Sequence, residues 1–89
     1  MERRKVYFSG RVQGVGFRAT AWHIARRYPV TGFVQNLPDG RVLLVAEGES
    51  DDLTALVDRL AAEMGRFIRH CDETVLPATG EFPSFDVQH

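Results

Sequence analysis

Apolar residues along this chain follow two periods, and each switch between them marks a change of element. From Lys5 to Gly10 the pattern alternates, with Val6 and Phe8 on one face and Tyr7 and Ser9 on the other, which predicts a half-buried strand. Phe17, Ala21, Ile24, Ala25 and Tyr28 then recur at helical spacing as one buried stripe. Val30 to Asn36 alternates again, setting Gly32, Val34 and Asn36 against Thr31, Phe33 and Gln35. Leu37-Pro38-Asp39-Gly40 reads as a turn, because proline's fixed φ suits its second position and glycine its last. Arg41 to Glu47 puts Val42, Leu44 and Ala46 on one face and Leu43 and Val45 on the other. Leu53, Leu56, Val57, Leu60, Ala61 and Met64 predict a second helix from Ser50 to about Met64, capped by Ser50 with Asp51 and Asp52, and ended by Gly65. Phe67 to Val75 reads as a strand, Pro77 to Gly80 as a loop, and Phe85-Asp86-Val87 as a short closing strand.

The order β-α-β-β-α-β with a short extra strand predicts an α+β chain of the ferredoxin-like, split β-α-β type. It is a sandwich of an antiparallel-rich sheet with both helices on one face and a short fifth strand. A length of 89 residues, with no internal repeat and no low-complexity linker, predicts a single domain over 1–89 with two layers. Such a fold hosts many functions, so function has to come from a site.

Composition narrows the field by exclusion. A formal net charge of -1 argues against a general nucleic-acid binder, which needs a basic face. No apolar run reaches membrane-spanning length, and Met1-Glu2-Arg3-Arg4-Lys5 enters a strand without the apolar core of a signal segment. The single cysteine, Cys71, has no internal disulfide partner, and the expectation is a cytoplasmic monomer. His70 and Cys71 are strand neighbours and point to opposite faces, and no other residues have convincing ligand spacing, so neither a metal nor a cofactor is expected. His23 lies away from the apolar stripe, Trp22 flanks it as packing, and Arg26 and Arg27 suit a helix carboxyl end.

Gly10-Arg11-Val12-Gln13-Gly14-Val15-Gly16-Phe17-Arg18 joins the first strand to the first helix and carries the most chemistry. Helix starts usually bear a Ser, Thr, Asp or Asn cap and acidic residues in the first turn, which satisfy free N–H groups and the positive dipole end. Residues 14 to 19 supply neither, and Arg18 adds positive charge where it is unfavourable by about 0.3–1 kcal/mol. A bound phosphate would repair both faults. A Gly-rich strand-to-helix turn with merely permissive glycines is the plainer reading of the same residues. The loop is neither the nucleotide-triphosphate P-loop, lacking Gly-Lys-Ser/Thr, nor the dinucleotide fingerprint, lacking its third glycine.

Asn36 ends the second strand on the parity of Gly32 and Val34, where a split β-α-β sheet brings it towards the helix start carrying Arg18. Its amide could hold a water, or it could cap the hairpin through its own side chain. Asp39, inside Pro-Asp-Gly, reads as a turn residue.

The segment Gly10 to Arg18, followed by Thr31-Gly32-Phe33-Val34-Gln35-Asn36 and Asp39-Gly40, resembles the paired signature of the acylphosphatases. The resemblance continues through Glu47-Gly48 and Thr79 to Val87 and covers nearly the whole chain, with Gly65 to Leu76 least typical. It implies hydrolysis of the carboxylic-phosphoric mixed anhydride of an acyl phosphate to a carboxylate and inorganic phosphate, the latter also an inhibitor. By that resemblance Arg18 binds the phosphoryl group, Asn36 orients the attacking water, and Gln13, Gly14, Val15, Gly16 and Phe17 form the phosphate cradle. A rival of another class is a non-catalytic phosphate- or RNA-binding module on the same fold.

Overall fold

The alternating segments do pair as one sheet, in an order the chain sequence conceals. A computed structural model describes all 89 residues, Met1–His89. It contains β1 (Glu2–Gly10), α1 (Phe17–Ala25), β2 (Thr31–Asn36), β3 (Val42–Gly48), α2 (Ser50–Met64), a 3-10 turn (Gly65–Phe67), β4 (Ile68–Pro77) and β5 (Phe85–Gln88). The sheet runs β4-β1-β3-β2-β5. Every neighbouring pair is antiparallel except β2 and β5, which are parallel. No helix is long and apolar enough to cross a membrane.

Strand parity decides which face is buried. Val6 and Phe8 of β1, Val34 of β2 and Val42, Leu44 and Ala46 of β3 share a core with Phe17, Ala21, Ile24 and Ala25 of α1 and with Leu53, Leu56, Val57, Leu60 and Met64 of α2. These are the alternating and helical stripes expected from the sequence, except that Ala61 is only half-buried and stays outside the core. Burying each large side chain contributes about 1.5–3 kcal/mol, so this seam between helices and sheet holds the fold.

Four local details depart from these readings or go beyond them. Helix α1 stops at Ala25, so Tyr28 lies in the turn beyond it and only packs against the rim of the core. Glu49, not Ser50, is the residue before α2, and it makes no side-chain cap. Ser50 already lies inside the helix, where its hydroxyl accepts a hydrogen bond from Arg4 Nη2 at 3.0 Å. Gly65 follows α2 in a right-handed conformation (φ -55°), and the chain tightens into the 3-10 turn instead of reversing through a left-handed cap. Finally, Val45 is on the outer face of β3 yet only 4% exposed.

The outer face is covered because the segment before β5 folds back over it. Phe82 packs edge-on against Phe33 with ring centroids 5.8 Å apart, and Arg3 lies over the Phe82 ring at 5.0 Å. Beneath them, Glu47 is 3% exposed and accepts hydrogen bonds from Arg3 Nε (2.7 Å), the backbone N–H of Thr79 (3.0 Å) and of Gly80 (2.9 Å), and the Thr79 hydroxyl (3.0 Å). Arg3 also pairs with Glu81. Burial alone would push the Glu47 carboxyl up, but these donors outweigh it and hold its pKa at about 2.

A carboxyl depressed in the folded state stabilises the fold above its ordinary pKa of 4.5, and that stabilisation is lost as pH falls from there towards about 2. Glu47→Gln is therefore expected to remove charge-assisted bonding of about 2 kcal/mol at pH 7. For a chain of this size that is a drop in Tm of roughly 10 °C. Thermal melts of both proteins at several pH values should show the gap closing below pH 4; a gap that stays constant would mean the charge of Glu47 is not what latches the segment.

Candidate active site

The loop between β1 and α1 is shaped by two glycines. Gly14 and Gly16 have φ of 77° and 80°, the left-handed region that side chains disfavour, and nothing lies within 4 Å of where a Cβ would project. Gly16 is the residue before α1; it offers no side-chain cap, and the first turn contains no acidic residue. The uncapped helix start expected from the sequence is therefore present in the fold. Phe17 anchors that start, being 2% exposed and packed on Phe8 with ring centroids 4.9 Å apart. Arg18 follows at the surface of the same turn.

The other wall comes from the hairpin. Asn36 closes β2 opposite Val42 of β3 and is half-buried. The turn does not use it as a cap: Leu37 N–H donates to the Arg41 carbonyl (2.8 Å), Gly40 N–H to the Leu37 carbonyl (3.1 Å), and Asp39 accepts from the Arg41 N–H (3.1 Å) and Nε (2.8 Å). These bonds from Arg41, the backbone one first, hold the Asp39 carboxyl below its usual range. Asp39 is thus a turn residue, which leaves Asn36 facing a cleft.

That cleft has a volume of about 300 Å³ and is lined by Val12, Gly14, Gly16, Phe17, Arg18, Ala19, Asn36, Val87 and His89. Gly14, Gly16, Phe17, Arg18 and Asn36 thus come together, as the loop-and-hairpin reading expected. Gln13 and Val15 do not line it. Gln13 instead turns its amide outward from the loop, and Nε2 donates to the carbonyls of Leu37 (2.8 Å) and Arg41 (2.9 Å). It clamps the loop to the β2–β3 hairpin and so holds the two walls in register. Val15 packs against the core.

Sequence reasoning missed the third wall. Because β5 lies beside β2, Val87 and His89 reach the cleft from the opposite end of the chain. Arg18 Nη1 donates to the Gln88 carbonyl at 3.0 Å and lies 3.4 Å from His89 Nδ1. Only the parallel placement of a short strand, which no local pattern reveals, could have signalled this. No three His, Cys, Asp or Glu side chains come together anywhere in the chain to hold a metal ion.

Chemically, the arrangement presents unsatisfied helix-start N–H groups, a guanidinium with planar donors and a primary amide around one small concavity. It is suited to a tetrahedral anion with a neutral molecule beside it. Comparison with known proteins agrees in kind. Residues 4–87 match the family model described as Acylphosphatase. An acylphosphatase of Methylococcus capsulatus is 44% identical over 89 residues, covering 98% of this chain and 96% of that one. Among solved structures, acylphosphatase from Bacillus subtilis superposes with a TM-score of 0.89 at 26% identity over 100% of both chains. That from Coxiella burnetii gives 0.82 at 30% identity over 98% of this chain and 93% of its own.

Proposed function

Since the chain belongs to the acylphosphatase family of hydrolases acting on acid anhydrides, we propose that this cleft hydrolyses acyl phosphates with Arg18 and the loop amides holding the phosphoryl group and Asn36 orienting the attacking water. The observation that carries the reading is an uncapped helix start sharing one cleft with a guanidinium and a carboxamide.

The chemistry asks little more of the protein. A carboxylate is already a good leaving group, so no strong general acid is needed, and phosphoryl transfer rests on positioning and on stabilising charge over the equatorial oxygens. Arg18 moves from the Gln88 carbonyl to the phosphoryl oxygens, exchanging a neutral acceptor for a charged one. The N–H groups following Gly14 and Gly16 supply further donors without ordering long side chains. Asn36 is a carboxamide and cannot take up a proton at neutral pH, so it holds the water by hydrogen bonding, and the water's proton passes to a phosphoryl oxygen as the P–O bond to the carboxylate breaks. Gln13 acts through the clamp on the hairpin, while the backbone between Gly14 and Phe17 forms the cradle. The exposed, unpaired thiol of Cys71 suits a reducing cytoplasm.

Release of inorganic phosphate from benzoyl phosphate by the purified protein tests the reading: turnover supports it, and binding without turnover would make the chain a phosphate-binding module. Inorganic phosphate or sulfate is expected to inhibit competitively and to raise Tm, because an anion bound only by the native cradle stabilises it by mass action. The shift should shrink in Arg18→Ala, and equal shifts in the two proteins would place the anion elsewhere.

A further inference from the structure

Hydrolysis by Arg18, the loop amides and Asn36 leaves one polar side chain of the cleft without a task. Parallel pairing with β2 sets Val87 of β5 beside the buried Val34, so Val87 turns to the inner face of the sheet. His89 has the same parity two residues on, and it lines the cleft that holds Arg18 and Asn36. Its Nδ1 lies 3.4 Å from Arg18 Nη1. A guanidinium only donates, so the imidazole meets it as an acceptor, which requires the neutral ring.

A bound dianion reverses that relation. Arg18 supplies one positive charge and the helix start only dipoles, so one negative charge of a phosphoryl group is left without a cation in the cleft. An imidazolium donates from both nitrogens and accepts at neither, and a tetrahedral anion offers oxygens to it and to Arg18 together. Imidazole changes charge between pH 5 and 8, so anion binding and ring protonation strengthen each other over that range. Few other charges intervene. Arg18 and His89 are the only titratable side chains lining the cleft, Arg11 of the β1–α1 loop does not line it, and β2 carries none. Further along α1, His23 and Arg26 lie against Trp22, at 5.2 Å between rings and 4.6 Å from the guanidinium to the ring. Asp86 has the opposite parity on β5 and accepts the Ser84 hydroxyl at 2.7 Å. The α-carboxylate of the 89-residue chain stays ionised above pH 5 and is common to wild type and variants.

We propose that His89 is a second phosphoryl ligand of this cleft, binding the dianion as an imidazolium together with Arg18. This role rests on the acyl phosphate reading of the cleft and gives it a pH dependence. Affinity for a dianion rises as pH falls through the titration of the ring, and above it Arg18 holds the anion with the loop amides alone.

Sulfate is the probe, because it stays a dianion across this range whereas a phosphate changes its own charge there. Calorimetric titration of the whole protein with sulfate, at constant ionic strength, should show wild-type affinity rising about threefold between about pH 8 and pH 5.5, the scale of one exposed charge interaction. His89→Gln keeps His23 and His70 and should lose most of that rise. His89→Lys carries its charge throughout and should bind at both pH values about as tightly as wild type does at the lower one. His89 is exposed, so neither variant disturbs the core. By reciprocity, a threefold preference for the charged ring means that saturating sulfate moves the NMR titration of the His89 ring upward by about half a pH unit. Equal pH dependence in wild type and His89→Gln, or a ring titration unmoved by sulfate, overturns the proposal while leaving the cleft reading intact. Sulfate affinity that Arg18→Ala also leaves unchanged overturns both.

Discussion

Arg18→Ala is expected to lower kcat/KM for benzoyl phosphate by about 10³-fold, the scale of losing a preorganised donor to developing charge, and charged donors lie at its upper end. The fold should survive the change. Removing a cation from a helix start relieves about 0.3–1 kcal/mol of unfavourable interaction with the dipole. Against that gain stands the loss of the hydrogen bond from Arg18 to the Gln88 carbonyl, which fixes the end of β5. The two effects are of similar size, so Tm without phosphate should stay within a few degrees of wild type. Steady-state kinetics and a thermal melt of the same preparation check both halves. Near-normal turnover by the folded variant would remove Arg18 from the mechanism.

Asn36→Ala should separate orientation of water from capture of phosphate. If the carboxamide acts on the attacking water, its loss appears in the transition state and not in the ground-state complex, so kcat falls by about 10²-fold or more while the inhibition constant for phosphate hardly moves. Asn36→Asp keeps the size and adds negative charge beside the phosphoryl group, which should weaken phosphate binding as well as turnover. Stability should change little in either variant, because the turn is closed by Leu37, Gly40 and Asp39. The role fails if Asn36→Ala loses phosphate affinity as severely as Arg18→Ala while kcat is retained, for Asn36 would then be a phosphate ligand.

The latch at Glu47 connects stability to this chemistry. It ties down Thr79 and Gly80, and the segment it holds leads directly into β5, whose end supplies Gln88 and His89 beside Arg18. Loosening it should therefore disturb the third wall of the cleft before it disturbs the helix start, which rests on Phe17 and Phe8.

The sequence by itself determined what depends on near neighbours in the chain. Alternation at Val6 and Phe8 and at Val42, Leu44 and Ala46, with the helical stripes of 17–25 and 53–64, specified elements and buried faces because each period matches one backbone geometry. The missing cap and missing acids before Arg18 were visible for the same reason, since a helix start needs its partners within a few residues. Tertiary structure alone decided what depends on distant ones. Gln13 looked like part of the phosphate cradle and is a clamp on carbonyls 24 and 28 residues away. Ser50 looked like a cap, but it lies inside α2 and the buried Arg4 of β1 takes its hydroxyl, because a guanidinium inside the fold must find every acceptor within reach. Glu47 read only as the end of a strand until Thr79 and Gly80 closed over it. Parallel pairing of β5 with β2 placed Val87 and His89 in the cleft, and pairing order left β4 as a bare edge. Neither is written locally, because a strand's own pattern fixes which way its side chains point and not which strand lies beside it.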